Sequence, residues 1–537
     1  MKPLQFSAMK PKCNFLSLAI MGLLVITLFG CQPKNGPKGG DGDQKSGGES
    51  GVKIVIRNGE GAPGAPGTQF HTLKSLALNN SGQVAFIATL AGGGITNDNN
   101  EGIWMGDPES LVLVMREGMN AAGIAGNHFG DILFSTEGPL LNDSGQIAFM
   151  ARFSPAGVTS TTSQGIWVGT AGSLSLLARS GISAPGAVSS HFRRFDDFRL
   201  NGAGQVAFLA ALMGGGITSD TDEGIWAGTP GNVAMIIRKA LATTPTQHSL
   251  VRTDRPPFDG LSINDGGRIM FRAQFSPTVT QVTEPSGATG IQVSYNHGFF
   301  MKPPVSGGWL VLEPGDNAHG SFVFKYLNEP GFNKKASYAF AASTNATHDN
   351  ENSGIWIHRQ GTQYRVAVEN SRPPGTAAGV VFNDLSGKKV ALNNKDEIAF
   401  IAFFRGTGVT DANNMGIWAG AGGALSLVAR EGSSAVGAPN ANFSFLGEPL
   451  LNNEGDVAFW AILKGSGVVS GNDSGIWATR QGNLSLVARE GDLYEVAPGL
   501  FRTIIEFKGG KAFNDLGQVA FLARFSDDTI GLVVVTP

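Results

Sequence analysis

The sequence is poor in cysteine, tyrosine and charge. Its 537 residues include two cysteines and five tyrosines, and only 15% are charged, against about 25% in an ordinary globular protein. The formal net charge is −3, so the chain lacks the excess of lysine and arginine typical of nucleic-acid binding. Apolar residues reach 42%, which argues against an intrinsically disordered chain. These figures predict a folded protein that does not bind nucleic acid.

Several chemical signatures are also missing. The sequence contains no P-loop, no Ser-centred nucleophile elbow and no pair of histidines at the spacing of a helical zinc site. Convincing amphipathic helices are absent too, because glycine and proline interrupt the chain too often. No motif therefore predicts a catalytic residue or a metal site. The strongest signals are instead a targeting segment and a repeat.

The N-terminus has the order of a secretory signal. An apolar run over residues 15–29 follows three lysines, Lys2, Lys10 and Lys12. The run is short for a membrane span and ends in Leu-Phe-Gly-Cys at Cys31. This end resembles the bacterial lipoprotein signal, which implies that residues 1–30 are removed and that Cys31 is lipidated. Gln32, in place of Asp, implies the outer membrane by the same resemblance. An ordinary signal peptide, with Cys31 there by chance, is the alternative.

The residues after Cys31 have the composition of a tether. Residues 32–51 consist largely of glycine, lysine, aspartate and serine, which predicts a flexible segment. The predicted organisation is a signal peptide (1–30), a lipidated cysteine with its tether (31–51) and one repeat domain (52–537). That domain would contain no cysteine, and therefore no disulfide, thiol nucleophile or cysteine-based metal site.

A repeated phrase organises the rest of the chain. Asn-x-x-Gly-x-x-Ala-Phe begins at Asn79, Asn142, Asn201, Asn452 and Asn514, with degenerate copies at Asn264, Asn333 and Asn393. The copies lie 59 to 69 residues apart. Self-similarity at such a period is the signature of a solenoid or a propeller.

Each copy predicts four short strands. A first strand, such as residues 443–451, leads into a type I turn that begins at Asn and ends at Gly. The apolar strand with Ala-Phe follows. The third strand contains Gly-Ile-Trp in six copies, at Trp104, Trp167, Trp226, Trp356, Trp418 and Trp477. The other two copies have Gly298-Phe-Phe and Gly531-Leu-Val instead. The fourth strand often ends in arginine.

The chain ends predict a closed ring. The repeat domain begins with a lone fourth strand over residues 52–57 and finishes after a third strand over residues 532–535. The first strand would therefore complete the last unit, which hides the sheet edges. We predict an all-β protein, an eight-bladed β-propeller of four-stranded repeats of about 62 residues. Another closed or stacked all-β repeat is the alternative.

The repeat also resembles a known family. The eight Asn-x-x-Gly-x-x-Ala-Phe copies, the Gly-Ile-Trp copies and the lipoprotein signal are similar to the bacterial "choice-of-anchor" tandem-repeat family with the NxxGxxAF motif. The resemblance covers residues 52–537 and implies a cell-surface location, but no biochemical activity, because none is established for that family. The blades also resemble the WD40-like blades of the TolB type.

Loop lengths indicate where a ligand would bind. The loops between second and third strands and the connectors between blades are long, and both emerge on one face of a propeller. We therefore expect a site on this long-loop face or in the central channel. Oxygen-rich loops there hold Asn97, Asp98, Asn99, Asn100, Glu101, Asp220, Asp222 and Glu223. These residues could bind Ca²⁺, or they could be solvated turn residues.

Three recurring residue types allow both a functional and a structural interpretation. A ring of arginines at fourth-strand ends could receive an anion or make a repeated blade-to-blade hydrogen bond: Arg57, Arg116, Arg179, Arg238, Arg430 and Arg489. The six tryptophans could form aromatic platforms, but packing between blades is favoured. Acids precede the repeated Asn by four or five residues: Glu137, Asp197, Asp259, Glu329 and Glu448. They could line an acidic channel or cap the adjacent turn.

The sequence favours a binding scaffold over an enzyme. We predict a monomeric propeller, lipid-anchored in the cell envelope, with an envelope protein or glycan as partner. The alternatives are a hydrolase or lyase that acts on a glycan or ester through Asp259 and Glu329, and a structural surface-layer component. Residues 240–340 break the repeat most, so a specialised site is expected there unless the region has simply drifted.

Overall fold

The computed structural model describes residues 51–133, 138–155, 163–239, 258–274, 278–283, 289–294, 297–302, 310–312, 316–319, 322–345 and 352–537. The signal peptide, Cys31, the tether up to residue 50 and Glu137 lie outside these residues, so the predictions for them stay predictions. Every regular element in the described ranges is a β-strand or bridge. None of these ranges contains a helix long and apolar enough to cross a membrane.

The first four blades follow in chain order after a single N-terminal strand, β1 (Val52–Arg57). Blade 1 contains β2 (Thr68–Leu78), β3 (Val84–Gly92), β4 (Glu101–Asp107) and β5 (Ser110–Arg116). Blade 2 contains β6 (Asn127–Leu133), β7 (Leu140–Leu141), β8 (Ile147–Pro155), β9 (Gln164–Thr170) and β10 (Ser173–Arg179). Blade 3 contains β11 (Ser190–Leu200), β12 (Val206–Gly214), β13 (Glu223–Thr229) and β14 (Asn232–Arg238). Blade 4 contains β15 (Phe258–Ile263), β16 (Ile269–Gln274), an inserted hairpin β17 (Thr278–Thr283) and β18 (Thr289–Ser294), then β19 (His297–Lys302) and β20 (Leu310–Leu312).

The second four blades repeat the arrangement. Blade 5 contains β21 (Asn317–His319), β22 (Phe322–Leu327), β23 (Gly331–Phe332), β24 (Tyr338–Thr344), β25 (Ser353–Arg359) and β26 (Thr362–Val368). Blade 6 contains β27 (Val380–Phe382), β28 (Val390–Leu392), β29 (Glu397–Gly406), β30 (Met415–Ala421) and β31 (Ser426–Arg430). Blade 7 contains β32 (Ala441–Leu446), β33 (Leu450–Leu451), β34 (Val457–Gly465), β35 (Ser474–Arg480) and β36 (Asn483–Arg489). Blade 8 contains β37 (Leu493–Ala497), β38 (Leu500–Phe513), β39 (Val519–Phe525), β40 (Ile530–Val535) and, as its fourth strand, β1.

The predicted closure is confirmed. β1 pairs antiparallel with β40, from Val52 opposite Val535 to Arg57 opposite Gly531. The N-terminal strand therefore completes the blade that the C-terminus begins, and the fold is an eight-bladed β-propeller. First strands contact first strands of adjacent blades, so they are innermost and surround a central channel.

The first strands are less regular than the sequence suggested. The single strand expected over residues 443–451 is two pieces, β32 and β33, and bulges interrupt the longer first strands of blades 1 and 3. Each bulge adds a residue to one strand and shifts the alternation. In β11 the buried side chains are consequently three residues apart, at Phe192, Phe195 and Phe198.

The turn of the repeated phrase has the predicted form. In blade 1, Gly82 donates its amide to the carbonyl of Asn79, and the Asn79 Oδ1 accepts the amides of Ser81 and Gln83. Gly82 has a φ of 83°, in the left-handed region that glycine adopts at little cost. The degenerate copies keep this conformation with other residues, Ala336 at 62° and Asp396 at 67°.

The Gly-Ile-Trp phrase is a packing unit, which confirms the structural interpretation of the tryptophans. All six indoles are buried. In blade 7, the Trp477 ring lies over Gly475, where an added Cβ would come within 2.7 Å of the ring. The Trp477 Nε1 donates to the carbonyl of Val436 in the connector that enters the same blade, at 2.9 Å. Five of the six tryptophans make this bond to a connector carbonyl.

Candidate functional site in the central channel

A closed ring of asparagines surrounds the turn end of the channel. The Asn79 Nδ2 donates to the carbonyl oxygen of Asn142 at 3.0 Å, and all eight side chains of the repeat are buried. The others donate in the same way to the next blade: Asn142 to Asn201, Asn201 to Asn264, Asn264 to Asn333, Asn333 to Asn393, Asn393 to Asn452, Asn452 to Asn514, and Asn514 back to Asn79. The eight amide bonds connect each blade to the next, so every Nδ2 of the ring has at least one acceptor.

The residues that follow these asparagines form a second, solvent-facing ring, which we call the turn rim. Six of its eight residues accept an amide of the preceding blade, as when Asp143 Oδ1 accepts the amide of Asn80 at 2.9 Å. Lys334 lies 2.5 Å from Asp265. The pKa of Lys334 is raised by its hydrogen bond to Asp265 and further by the carboxylates of Asp143 and Asp515, which come from blades 2 and 8. The turn rim was not predicted from the sequence, because only an alignment of the eight copies at the position after Asn could have indicated it.

The acids predicted to line the channel are divided between ion pairs and solvent. Asp197 contacts Arg199 at 2.5 Å. Asp259 accepts two hydrogen bonds from Arg272, at 2.6 and 2.7 Å, and this pairing raises the pKa of Arg272. Glu329 is exposed beside Gly260 of the adjacent blade, and Glu448 is exposed. The described acids therefore do not converge into one acidic cluster.

The oxygen-rich loops are occupied by their own hydrogen bonds. The Asn99 Oδ1 accepts the amide of Thr96, and Glu101 pairs with Lys74 at 2.8 Å. In the equivalent loop of blade 3, Lys239 contacts both Asp222 and Glu223, at 3.1 and 3.3 Å. Within the described ranges, no group of three or more His, Cys, Asp or Glu side chains could hold a metal ion. Binding of Ca²⁺ here stays a prediction without a preformed site.

Two of the fourth-strand arginines bond within their own blades. The Nε atoms of Arg430 and Arg489 donate to the carbonyls of Asn413 and Asn472, at 3.3 and 2.7 Å. Both asparagines belong to the long loop of the same blade as the arginine. The blade-to-blade hydrogen bond expected from the sequence is therefore wrong for these two, because the fourth strand ends beside its own long loop.

Two buried glutamates that directly follow fourth-strand arginines have a raised pKa. Burial raises the pKa of Glu117 to about 7, and the carboxylates of Glu101 and Asp131 add to the effect. Burial likewise raises the pKa of Glu490 to about 7, with a further contribution from Asp473. The Glu117 Oε2 accepts the amide of Glu101 at 2.9 Å, so this position fastens the fourth strand to the third.

Among the described residues, we consider three cavities that open at the propeller surface. One of about 110 Å³ lies between blades 3 and 4 and is lined by Arg194, Asp196, Leu209, Ala210, Glu223 and Phe258. A second, of about 250 Å³, lies beside the long loop of blade 6 around Phe404 and Thr410. The third, of about 360 Å³, lies on the turn face between blades 1 and 2, around Met105 and Ser144. The first and second lie at the end of the blades where the sequence placed a ligand.

The replacements in the irregular region pack into the core. Phe300 stands near the tryptophan position of blade 4 and stacks on Phe271, with ring centroids 5.3 Å apart. Met270, Phe299 and Phe300 are all buried. These residues favour drift within the packing over a specialised site at their positions.

Known structures resemble the chain in architecture at low sequence identity. The β-propeller domain of the trilobed protease from Pyrococcus furiosus is 9% identical, with a TM-score of 0.36 over 79% of this chain and 99% of that domain. A puromycin-hydrolysing peptidase from Mycobacterium tuberculosis is 11% identical, with a TM-score of 0.37 over 84% of this chain and 58% of the peptidase. The Dos1 propeller is 8% identical, with a TM-score of 0.36 over 90% of this chain and 94% of that propeller.

No curated protein matches the sequence. A family model, however, matches residues 44–181, 134–287 and 169–537, which together span the whole propeller. The chain therefore belongs to the family of unknown function DUF7453.

Proposed function

We propose that this protein is a lipid-anchored β-propeller of the bacterial cell envelope that binds a ligand through its channel and long-loop face. The supporting observation is the position of Gly51, where the chain enters the propeller. The carbonyl of Gly51 accepts the amide of Thr536 at 2.7 Å, and Val52 pairs with Val535. Both termini of the propeller thus lie on the turn face. An anchor at Cys31 would be attached on that side.

The opposite face holds the features suited to binding. Long loops and connectors of the blades emerge there, on a scaffold that the asparagine ring makes rigid. Loops of blades 1, 6 and 7 are held by the same bonds, in which Asn99, Asn413 or Asn472 accepts an amide of its own loop. A rigid loop loses less conformational entropy when it binds. The expected partner is an envelope protein or glycan, and the propeller is a monomer.

The pairing of Asp259 argues against the hydrolase or lyase alternative. Both oxygens of Asp259 accept hydrogen bonds from Arg272. A catalytic carboxyl must be free to contact the substrate, so Asp259, with both oxygens held by the guanidinium, is poorly placed for that role. Glu329 alone would then have to act, without the second carboxyl of a glycosidase pair.

Two measurements test the proposal. Cells that produce the full chain would be labelled with palmitate, with Cys31→Ser as the matched control; we expect label only in the protein with Cys31. The thermal unfolding of residues 32–537 would then be recorded with Ca²⁺, EDTA, envelope glycans and peptides. A ligand at one hundred times its Kd stabilises the fold by about 2.7 kcal/mol. Absence of label would contradict the anchor, and absence of any shift would contradict binding of these ligand classes.

A further inference from the structure

Adjacent blades share one recurring apolar contact. In each repeated phrase, the residue that follows Phe faces the next blade. It packs there against the residue that lies three positions before the Asn of that next blade. At the junction of blades 8 and 1, these residues are Leu522 and Leu76, which share one buried cluster. At the junction of blades 2 and 3 they are Met150 and Phe198. The rule makes most junctions apolar near the channel.

The junction of blades 7 and 8 departs from this rule on both sides. Trp460 stands where other blades have Ile87, Met150, Leu209, Arg272, Ala341, Ile401 and Leu522. Lys511 stands where other blades have Leu76, Pro139, Phe198, Leu261, Pro330, Val390 and Pro449. The Lys511 Nζ lies 4.6 Å from the centroid of the Trp460 ring. The two exceptions therefore meet, and the tryptophan supplies an aromatic face to the lysine.

The adjacent backbone makes room for this pair. Gly447 breaks the first strand of blade 7, and an added Cβ there would come within 2.1 Å of the Trp460 Nε1. On the other side, Lys508, Gly509 and Gly510 form an exposed excursion of β38 just before Lys511. Both irregularities lie on innermost strands. The pair is therefore open to the channel, and both of its side chains are partly exposed.

Lys511 has no counter-ion within the described part of the chain. The nearby Lys508 pairs with Glu506 at 2.6 Å, whereas the Lys511 Nζ forms no hydrogen bond or ion pair with the described residues. Burial alone lowers the pKa of Lys511 to about 8. The other charged exception, Arg272, is instead fully engaged by Asp259 and by the carbonyl of Leu327. A half-buried cation without an anion is costly to keep, so a role beyond packing is indicated.

Apolar surface surrounds this cation on the channel wall. Phe445 is 39% exposed and lies 5.4 Å from Trp460 between ring centroids. Leu450 and Ile505, also on innermost strands of these two blades, are each 37% exposed. The same segments also carry charged side chains: Glu448 is exposed, and Glu506 pairs with Lys508. The wall at this junction thus combines exposed apolar side chains with Lys511, whose Nζ has no anion among the described residues.

We infer that the junction of blades 7 and 8 is a binding site for a carboxylate carried on a six-membered ring. The carboxylate would pair with Lys511, and the ring would lie against Phe445 and Trp460. Two sources share this chemistry, a uronic acid unit of a glycan and an aryl carboxylate. The inference rests on the proposed binding function and names its ligand class. The exposed Glu448 would disfavour ligands with a second negative charge.

Trace acetylation tests the site in the full-length protein purified in detergent. The protein would be treated with a small amount of acetic anhydride, and the acetylation of each lysine would be measured by mass spectrometry. Glucuronate and benzoate are the probes, with glucose and benzamide as their neutral controls, each up to 50 mM. We expect glucuronate or benzoate to slow acetylation of Lys511 at least fivefold and to leave Lys53 unchanged.

The probes also separate the two sources. Protection by glucuronate alone identifies a sugar acid, and protection by benzoate alone identifies an aryl acid. Equal protection by a neutral control, or no protection by either acid, would overturn the inference.

Variants that restore the repeat pattern separate this site from binding elsewhere. The double variant Trp460→Leu, Lys511→Leu places two leucines at this junction, as Leu522 and Leu76 are placed at the junction of blades 8 and 1. This variant should therefore fold and be more stable than the natural chain. We expect it to lose the thermal shift given by the protective acid. If the shift persists unchanged, the ligand binds elsewhere; the inference then fails although the propeller remains a binding protein.

Discussion

Glycines in the two repeated phrases are required for different physical reasons. Gly517 ends the turn of blade 8 with a φ of 79° and has open space around it. Gly475 has an ordinary backbone conformation, but the Trp477 indole occupies the volume of its missing side chain. The first glycine satisfies a backbone requirement and the second a packing requirement. Ala336, which keeps the left-handed turn without glycine, shows that the first requirement can be violated.

The two requirements predict different costs. Gly517→Ala should lower the free energy of unfolding by about 1 kcal/mol, the cost of a left-handed alanine. Gly475→Ala should lower it by about 3 kcal/mol, because the new methyl group overlaps the buried indole. Urea unfolding of both variants measures the difference. Equal costs would show that the Gly475 contact can relax.

Glu117 and Glu490 predict a stability that depends on pH. Both have a pKa near 7 in the folded protein, above the value of about 4.5 expected when unfolded. The folded state therefore binds more protons between these values, and the stabilisation from protonation is present below pH 4.5 and lost as the pH rises through 7.

The free energy of unfolding should accordingly fall from pH 5 to pH 8. Replacing both residues by glutamine, which keeps an acceptor for the amide of Glu101, should flatten this fall. Urea titrations at the two pH values compare the natural chain with the double variant. If the free energy of unfolding falls equally in the natural chain and in the double variant, groups other than Glu117 and Glu490 cause its pH dependence.

At the scale of the structural element, each repeated turn fastens two blades at once. Asn142 holds its own turn by accepting the amides of Ser144 and Gln146, and its Nδ2 reaches the carbonyl of Asn201. The sequence predicted the turn from residue preference alone. It could not predict the bond to the next blade, because a local pattern contains no information about the neighbour that a side chain meets.

Asn142→Ala should therefore cost more than an ordinary turn substitution. It removes one of the two donors to the carbonyl of Asn201, which keeps only the amide of Gly204, and it leaves two turn amides without their acceptor. We expect a loss of about 3 kcal/mol of stability. The exposed Ser144→Ala in the same turn is the control, with an expected change within about 0.5 kcal/mol. The denaturant midpoints of both variants measure this difference. Similar midpoints would mean that the bond from Asn142 to the next blade adds nothing to the stability.

On the scale of the whole molecule, the fold was more predictable than the site. Eight copies of one phrase and an unpaired strand at each end were sufficient to predict the closed propeller. Functional residues were harder to predict because they are departures from the repeat. Trp460 and Lys511 are ordinary residues in the sequence and become informative only when the structure shows that they touch. The paired state of Asp259 likewise depends on Arg272, thirteen residues away on the adjacent strand.

Closure by β1 predicts a strict requirement for residues 52–57. A chain that begins at Gly51 should unfold cooperatively, whereas a chain that begins at Asn58 exposes the edge of β40 and should unfold at lower temperature and self-associate. Light scattering and thermal unfolding of the two chains measure this. Restoration by an added peptide of residues 51–57 would confirm that the strand itself is missing. An unchanged Asn58 chain would contradict the role of β1 as a closing strand.

The pairing of β1 with β40 also has a mechanical consequence. Tension applied through the residues before Gly51 acts at the end of β1 where Val52 meets Val535, and the two strands are antiparallel. Such a pull separates the hydrogen bonds one after another, like a zipper, and does not load them all together in shear. The ring would open first at blade 8, while the asparagine bonds between the other blades stay under little load. The propeller is therefore weakest in the direction in which an anchor would pull it.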